Sequence, residues 1–91
     1  MANYKGATIV KILFFGDLVD SLGLAAEEMA LPADITDVEG LIFHLSTRGE
    51  KWAKSLRDNP NLTISVNKKI AERTTPIQDG DEIALVGFLV I

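Results

Sequence analysis

Apolar and polar positions alternate through the first strongly patterned stretch of the chain, Thr8 to Phe15. β-branched and aromatic residues dominate this stretch and Gly16-Asp17 follows it, which predicts a β-strand. Alternation divides its side chains between a fully apolar face and a mixed face. The apolar face holds Val10, Ile12 and Phe14, and the mixed face holds Ile9, Lys11, Leu13 and Phe15. Because a lysine favours water, the second face is predicted to be at least partly solvated, and large apolar side chains are unexpected on it.

A helical period marks the middle of the chain. Thr36-Asp37-Val38-Glu39 has the pattern of a capping box, with Thr36 as the N-cap and Glu39 three residues later. Apolar residues then follow at helical spacing and form one stripe: Val38, Leu41, Ile42 and Leu45. We therefore predict a helix over Thr36–Ser46, with Gly49 as its C-terminal stop.

Weaker patterns predict the remaining elements. Before the main helix they are a helical turn through Leu18 and Leu22 and a strand over Ala26–Leu31. After it come a helical piece over Glu50–Arg57, a strand over Leu62–Val66 with a turn at Asn67-Lys68, and a short strand at Ile70-Ala71. The last strand runs from Glu82 to Val86, and apolar residues can extend it to Ile91. The first and last strands are the most apolar, so they are predicted to be central neighbours. One main helix must then cover one face of a mixed sheet of four to five strands. This predicts an α+β, β-grasp fold in one domain over residues 1–91.

Composition narrows the classes of function. The chain has 91 residues, no cysteine, one histidine and a formal net charge of −4. The missing cysteines exclude disulfides and thiolate sites, a lone histidine cannot build a zinc site, and no acid–base pair or nucleophile stands out. An acidic chain argues against nucleic acid, because phosphate binding needs concentrated Lys and Arg. The sequence has neither a bilayer-spanning stretch nor a signal-peptide pattern, so we predict a cytoplasmic protein without cofactor, metal or membrane partner.

Two charged clusters invite functional interpretations. Asp79, Asp81 and Glu82 surround Gly80, but a calcium loop needs more oxygen ligands at set spacing. We interpret this cluster as a tight turn with solvated acids, which could also pair with a basic partner. A basic cluster at Lys68, Lys69 and Arg73 is interpreted as a solvated hairpin rather than an anion site.

Three stretches, in order, resemble the small subunit of molybdopterin synthase, a ubiquitin-like sulfur carrier. They are Val10-Lys11-Ile12-Leu13-Phe14-Phe15 with Leu22-Gly23 after it, Thr36-Asp37-Val38-Glu39-Gly40-Leu41, and Val66-Asn67 followed by Thr75-Pro76-Ile77-Gln78-Asp79-Gly80-Asp81-Glu82-Ile83-Ala84-Leu85. The resemblance covers about Thr8 to Val86. The thiamine-pathway sulfur carriers share the Asp-Gly-Asp turn but usually lack the double phenylalanine and are shorter, so they rank second.

The resemblance implies both partners and chemistry. In that family an adenylating enzyme activates a C-terminal glycine carboxylate, which becomes a thiocarboxylate and delivers sulfur in the large subunit's active site. The chain would have no catalytic site of its own and would act at most as a subunit of molybdopterin synthase. Ile91 occupies the position of the thiocarboxylate-forming glycine, and the sequence contains no Gly-Gly pair.

Three interpretations therefore stay open. The chain could be a carrier whose Gly-Gly is missing from this reading frame, or a relative that docks without transferring sulfur. It could also be an unrelated, non-catalytic β-grasp interaction or self-assembly module. In either of the last two cases, covalent sulfur transfer by the usual tail mechanism is not expected, because a β-branched ending is bulkier and stiffer than glycine.

A candidate partner-binding surface follows from the same pattern. If the first and last strands are neighbours, apolar side chains of both share the solvated face, which the resemblance assigns to docking the large subunit and the adenylating enzyme. The candidate residues are Leu13, Phe15, Val86, Phe88, Leu89, Val90 and Ile91. Ile83 to Ile91 contains no charged or polar side chain, which favours pairing with a partner or a second copy. The alternative is that this strand and face are covered within the chain.

Overall fold

The computed structural model describes residues 8–87. Its elements are β1 (Thr8–Gly16), α1 (Leu18–Leu22), β2 (Ala26–Leu31), α2 (Val38–Ser46), α3 (Glu50–Trp52), a π-helix (Ala53–Arg57), β3 (Thr63–Val66), β4 (Lys69–Ala71) and β5 (Glu82–Gly87). Within the described residues, no helix is long and apolar enough to span a membrane.

The five strands form one mixed sheet in the order β2-β1-β5-β3-β4. β1 and β5 pair in parallel at the centre, whereas the β1–β2, β5–β3 and β3–β4 pairs are antiparallel. The prediction that the first and last strands are central neighbours is confirmed. With α2 packed on one face, the arrangement is the predicted α+β β-grasp.

The core lies between α2 and the inner face of the sheet. β1 contributes the three side chains of its apolar face, and the helix contributes the predicted stripe. All are at most 1% exposed: Val10, Ile12, Phe14, Val38, Leu41, Ile42 and Leu45. Ile83 and Leu85 of β5 complete this layer and are fully buried. Each such side chain contributes roughly 1.5–3 kcal/mol when it is removed from water, so the inner face fixes the register of the sheet.

The start of α2 corrects the predicted capping box. Asp37, not Thr36, is the N-cap, and its Oδ1 accepts a hydrogen bond of 2.8 Å from the amide of Gly40. Thr36 is bonded through its backbone instead, since its carbonyl accepts from the amide of Ile77 at 2.9 Å. Tertiary pairing of the preceding segment therefore moves the cap by one residue.

The end of α2 also differs from the prediction. Thr47 is the C-cap, and Gly49 lies just before α3 with φ 153°, a conformation in which side chains are strained. The predicted helical piece then continues from α3 into the π-helix, where the amide of Asp58 donates to the carbonyl of Ala53 at 2.9 Å. Gly49 therefore separates two helical segments rather than capping the first.

Arg73 was interpreted as part of a solvated hairpin, and that interpretation is wrong. Its Nη2 donates to the carbonyls of Leu56 and Asn59 at 3.2 and 3.4 Å, and its Nη1 lies 3.6 Å from Oε1 of Glu39. The guanidinium thus holds the end of the π-helix against the loop before β5. Its partners come from distant parts of the chain, so sequence spacing could not reveal them.

Candidate partner-binding face

The face of the sheet opposite α2 carries the predicted partner-binding residues of β1 and β5. In the parallel register Leu13 pairs with Ala84, and Phe15 pairs with Val86. Phe15 is 46% exposed, while Leu13 and Val86 are half-buried. The structure therefore brings these three predicted residues together on an uncovered face of the described chain. The other four predicted residues, Phe88, Leu89, Val90 and Ile91, lie outside the described residues.

Strand register extends this face beyond the two central strands. One row crosses the whole sheet and contains no charged side chain: Ala26, Leu13, Ala84, Ser65 and Ile70. Ile70 is 82% exposed, so it contributes more open apolar surface than Phe15. Ile70 was not predicted as a residue of this surface. The signal was present, because the two-residue turn at Asn67-Lys68 sets Ile70 opposite Ser65.

A charged border lies at the Glu82 end of the open face. Lys11 is flanked in register by Glu28 on β2 and Glu82 on β5. Asp79 and Asp81 belong to the turn just before β5 at the same end. The face therefore changes along the strands from apolar to predominantly acidic.

The acidic turn is more than a set of solvated carboxylates. Asp79 Oδ1 accepts from the amide of Ile9 at 2.8 Å, which attaches the turn to β1. Asp81 accepts from the amide of Gln78 at 2.8 Å and from Nδ2 of Asn67 at 2.9 Å. The predicted tight turn is confirmed, and the Asp81 carboxylate also holds the hairpin turn of β3 and β4 beside it.

The last described residue, Gly87, lies in a tightly packed position. A Cβ at this position would lie 2.9 Å from Cδ2 of Leu18 and 3.2 Å from Nδ2 of Asn59. Its carbonyl accepts a hydrogen bond of 2.7 Å from the amide of Asp17. Glycine is needed here for close approach rather than for flexibility, so β5 ends in a closely packed position.

An ion pair joins the edge of the sheet to the helical layer. Arg48 donates to both carboxylate oxygens of Glu27, at 2.7 and 2.5 Å, and its guanidinium lies 4.7 Å from the ring centroid of Trp52. These hydrogen bonds hold the pKa of Glu27 below its ordinary value and raise the pKa of Arg48. The pair fixes β2, and with it the edge of the open face.

The described part of the chain presents an open surface and no enclosed cavity. Among residues 8–87 there is no pocket, and no group of three or more His, Cys, Asp or Glu side chains could hold a metal ion. The main features of this part are an open apolar face, an acidic border and a closely packed end of the last described strand. Together with the order of the sheet, they define a protein of the ubiquitin-like β-grasp class.

Comparison with known proteins identifies the family within this class. Residues 12–89 match the model of the ThiS family. The chain is also 36% identical over 76 residues to the molybdopterin synthase sulfur carrier subunit of Escherichia coli (strain K12), a match that covers 84% of this chain and 90% of that protein. The chain belongs to the ThiS family.

Solved structures share the fold. Small archaeal modifier protein 1 of Haloferax volcanii superposes with a TM-score of 0.72 at 18% identity, covering 90% of this chain and 99% of that chain. A chain from the complex of subunits 1 and 2 of molybdopterin-converting factor from Helicobacter pylori superposes with a TM-score of 0.59 at 24% identity, covering 92% of this chain and 99% of that chain. These likenesses agree with the β-grasp topology described above.

Proposed function

We propose that this chain is a sulfur-carrier-type small subunit of molybdenum-cofactor biosynthesis that works by docking on a larger protein. The observation that carries the proposal is the 36% identity to a molybdopterin synthase sulfur carrier subunit over most of both chains. The site agrees with such a role, because it is an open apolar face on the described part of the chain. We place this role in the cytoplasm, in keeping with a chain that has no cysteine.

The partner we propose is a protein of the molybdopterin synthase large-subunit kind, with an adenylating enzyme as a second partner. The relative in Helicobacter pylori is found in a complex of subunits 1 and 2 of molybdopterin-converting factor, which supports a partner of this type. Leu13, Phe15 and Val86 would form the apolar centre of the interface, and the tail Phe88–Ile91 would extend it. The acidic border would face basic side chains of the partner.

Isothermal titration with the purified large subunit from the same organism tests this proposal. Phe15→Glu should weaken binding at least tenfold, about 1.4 kcal/mol, because it places a charge in a desolvated apolar centre. Phe43→Glu is the matched control, since Phe43 is 57% exposed on the solvent side of α2, away from the open face. It should bind like the unsubstituted chain. Equal affinity for all three proteins, or no binding by the unsubstituted chain, would overturn the proposal.

Self-assembly is a second candidate, favoured by a specific feature of the last strand. Ile83 to Ile91 contains no charged or polar side chain, a composition typical of segments that pair with another copy. Because β5 is already paired on both sides within the sheet, we propose that the chain forms a dimer or larger assembly through the rest of this segment, Phe88–Ile91, when no partner is present. Analytical ultracentrifugation tests this, with a concentration-dependent rise in sedimentation coefficient expected. A monomer at high concentration would eliminate it.

A further inference from the structure

β2 forms one edge of the sheet, and among the described residues it has a neighbouring strand on its β1 side alone. The amide of Phe14 donates to the carbonyl of Ala25 at 2.9 Å. The register then makes Ile12 and Glu27 the next hydrogen-bonded pair, because every second residue of an antiparallel strand bonds to its neighbour. The residues between these pairs direct their backbone N–H and C=O groups away from β1: Ala26, Glu28 and Ala30.

β2 lacks the features that usually protect an edge strand. Such strands are blunted by lysine, by proline or by being very short, whereas β2 has six residues with neither lysine nor proline. The outward-directed residues Ala26, Glu28 and Ala30 are all exposed. The one charge among them, on Glu28, lies beside Lys11 in register. β2 therefore presents an open template for a further strand.

The opposite edge of the sheet is a poorer template. β4 has three residues, Lys69–Ala71, and it follows the turn residue Lys68. The two-residue turn makes Val66 and Lys69 a hydrogen-bonded pair, so Ile70 is the one residue of β4 that directs its N–H and C=O outward. A short edge beside two lysines offers little to an added strand. Of the two edges, β2 is therefore the better acceptor.

The segment Phe88–Ile91 has the composition of a strand that could fill this edge. In an extended conformation Phe88 and Val90 would face one side, and Leu89 and Ile91 the other. On the open face, β2 presents only small apolar side chains and Glu28, which leaves room beside them. On the inner face Met29 is partly buried and packs against the core, so it offers apolar surface to the other side of an added strand.

The dimensions of the sheet decide which copy supplies the segment. Gly87 pairs with Gly16, and the nearest end of β2 is Ala26, which pairs with Leu13. From β5 to the position beyond β2 is three strand spacings, about 14 Å. Four extended residues span at most about 14 Å, so Phe88–Ile91 would be used up in crossing the sheet of its own copy. The segment can pair with β2 only when it comes from another copy.

We infer that Phe88–Ile91 of one copy adds as a strand to the free side of β2 of a second copy, with hydrogen bonds to the backbone of Ala26, Glu28 and Ala30. The added strand satisfies the unpaired backbone groups of β2 and removes its own apolar side chains from water. The inference rests on the self-assembly proposed above, and it names the surface that accepts the segment.

Analytical ultracentrifugation of Ala30→Pro tests the acceptor. Proline removes the outward N–H of residue 30 and hinders close approach, while the hydrogen bonds between β1 and β2 stay intact because that N–H does not face β1. We expect assembly to weaken by about tenfold or more, with the thermal midpoint close to that of the unsubstituted chain. Ile70→Pro is the matched control, since it removes the outward N–H of the opposite edge, and it should assemble like the unsubstituted chain.

The outcomes separate this inference from the self-assembly on which it rests. If the unsubstituted chain assembles and Ala30→Pro assembles equally well, β2 is overturned as the acceptor while self-assembly stands. A loss confined to Ile70→Pro would also overturn β2 and would assign the contact to β4. A monomeric unsubstituted chain would remove both proposals.

Paramagnetic labelling locates the contact without any change in β2. Because the chain has no cysteine, Ile91→Cys carries a single nitroxide label. This labelled chain is mixed with the isotope-labelled unsubstituted chain, in a sample whose assembly sedimentation has confirmed. The amide signals of Ala26, Glu28 and Ala30 should broaden relative to a diamagnetic label, and that of Ile70 should not. Broadening at Ile70 instead, or none between copies, would overturn the inference.

Discussion

Phe15 and Val86 lie opposite each other in the parallel pairing of β1 and β5, on the face of the sheet that α2 does not cover. These residues are far apart in sequence, and the β-grasp topology brings them together at the centre of the sheet. An uncovered aromatic side chain beside a β-branched one presents apolar surface that a docking partner would remove from water. The face is therefore the part of the molecule on which we place the proposed docking.

Lys68 offers a test of the hairpin that positions Ile70. Asn67 and Lys68 have φ values of 52° and 70°, which a two-residue hairpin turn requires and which disfavour a lysine. Lys68→Gly should raise the free energy of unfolding by about 1 kcal/mol in urea denaturation. Lys69→Gly is the control, because residue 69 begins β4 and glycine weakens strands. Equal effects of the two substitutions would contradict the assigned turn.

Gly87 offers a test of the close packing at the end of β5. Gly87→Ala should lower the free energy of unfolding by roughly 1–3 kcal/mol, because the added Cβ would meet the buried side chain of Leu18 at 2.9 Å. The double variant Gly87→Ala with Leu18→Ala should lose less free energy of unfolding than the sum of the two single losses, because the smaller side chain at position 18 removes the clash. Strictly additive effects in denaturant titrations would show that the two positions are not in contact.

The Glu27–Arg48 pair predicts a pH dependence. A glutamate whose folded pKa is lowered contributes stability above its unfolded pKa of about 4.3 and loses it as pH falls through the folded pKa. Because both side chains are partly exposed, the contribution is at most about 1 kcal/mol. Glu27→Gln should therefore be less stable than the unsubstituted chain at neutral pH, and this difference should disappear in acid.

Glu28→Gln is the matched control for this experiment, since Glu28 faces the opposite side of the sheet. Thermal unfolding of both variants is measured across the pH range. At neutral pH, Glu28→Gln should lower the stability of the chain less than Glu27→Gln does. High salt should reduce the Glu27→Gln effect. A difference for Glu27→Gln that persists unchanged in acid would contradict the ion pair as its cause.

The sequence predicts the sheet well and the helix boundaries less well. Strongly apolar first and last strands predict their central pairing, because strands at the centre of a sheet are the ones most shielded from water. The N-cap was predicted one residue early, because Thr36 and Asp37 can both cap a helix locally and the pairing of Thr36 with Ile77 decides between them. Helix-capping propensity alone gives no information on the contact between Thr36 and Ile77.

The candidate site was predicted in part for similar reasons. Leu13, Phe15 and Val86 follow from alternation along two obvious strands. Ile70 stands alone in a short polar segment, so its place on the face depends on the turn and on the order of β3 and β4. The packing of Gly87 against Leu18 and Asn59 depends on tertiary contacts, which no local pattern in the sequence indicates.

A separate prediction concerns thiocarboxylate formation at Ile91. When the chain is incubated with an adenylating enzyme, ATP and a sulfur donor, we expect intact mass spectrometry to show no oxygen-to-sulfur exchange at Ile91. Val90 and Ile91 are β-branched and stiff, whereas glycine allows the close backbone approach that a narrow active site demands. The double variant Val90→Gly with Ile91→Gly should gain the exchange. A thiocarboxylate on the unsubstituted chain would refute this prediction.

The central claim is that the partner docks on the open face of the sheet, and side-chain NMR mapping tests it most directly. The isotope-labelled chain is titrated with the unlabelled large subunit, and signals of the Leu13 and Val86 methyl groups, the Phe15 ring and the Phe43 ring are followed. Signals from Leu13, Phe15 and Val86 should shift or broaden in the cross-saturation and titration spectra. The signal of the Phe43 ring on α2 should stay unchanged. Changes confined to Phe43 and the helical layer would contradict the claim.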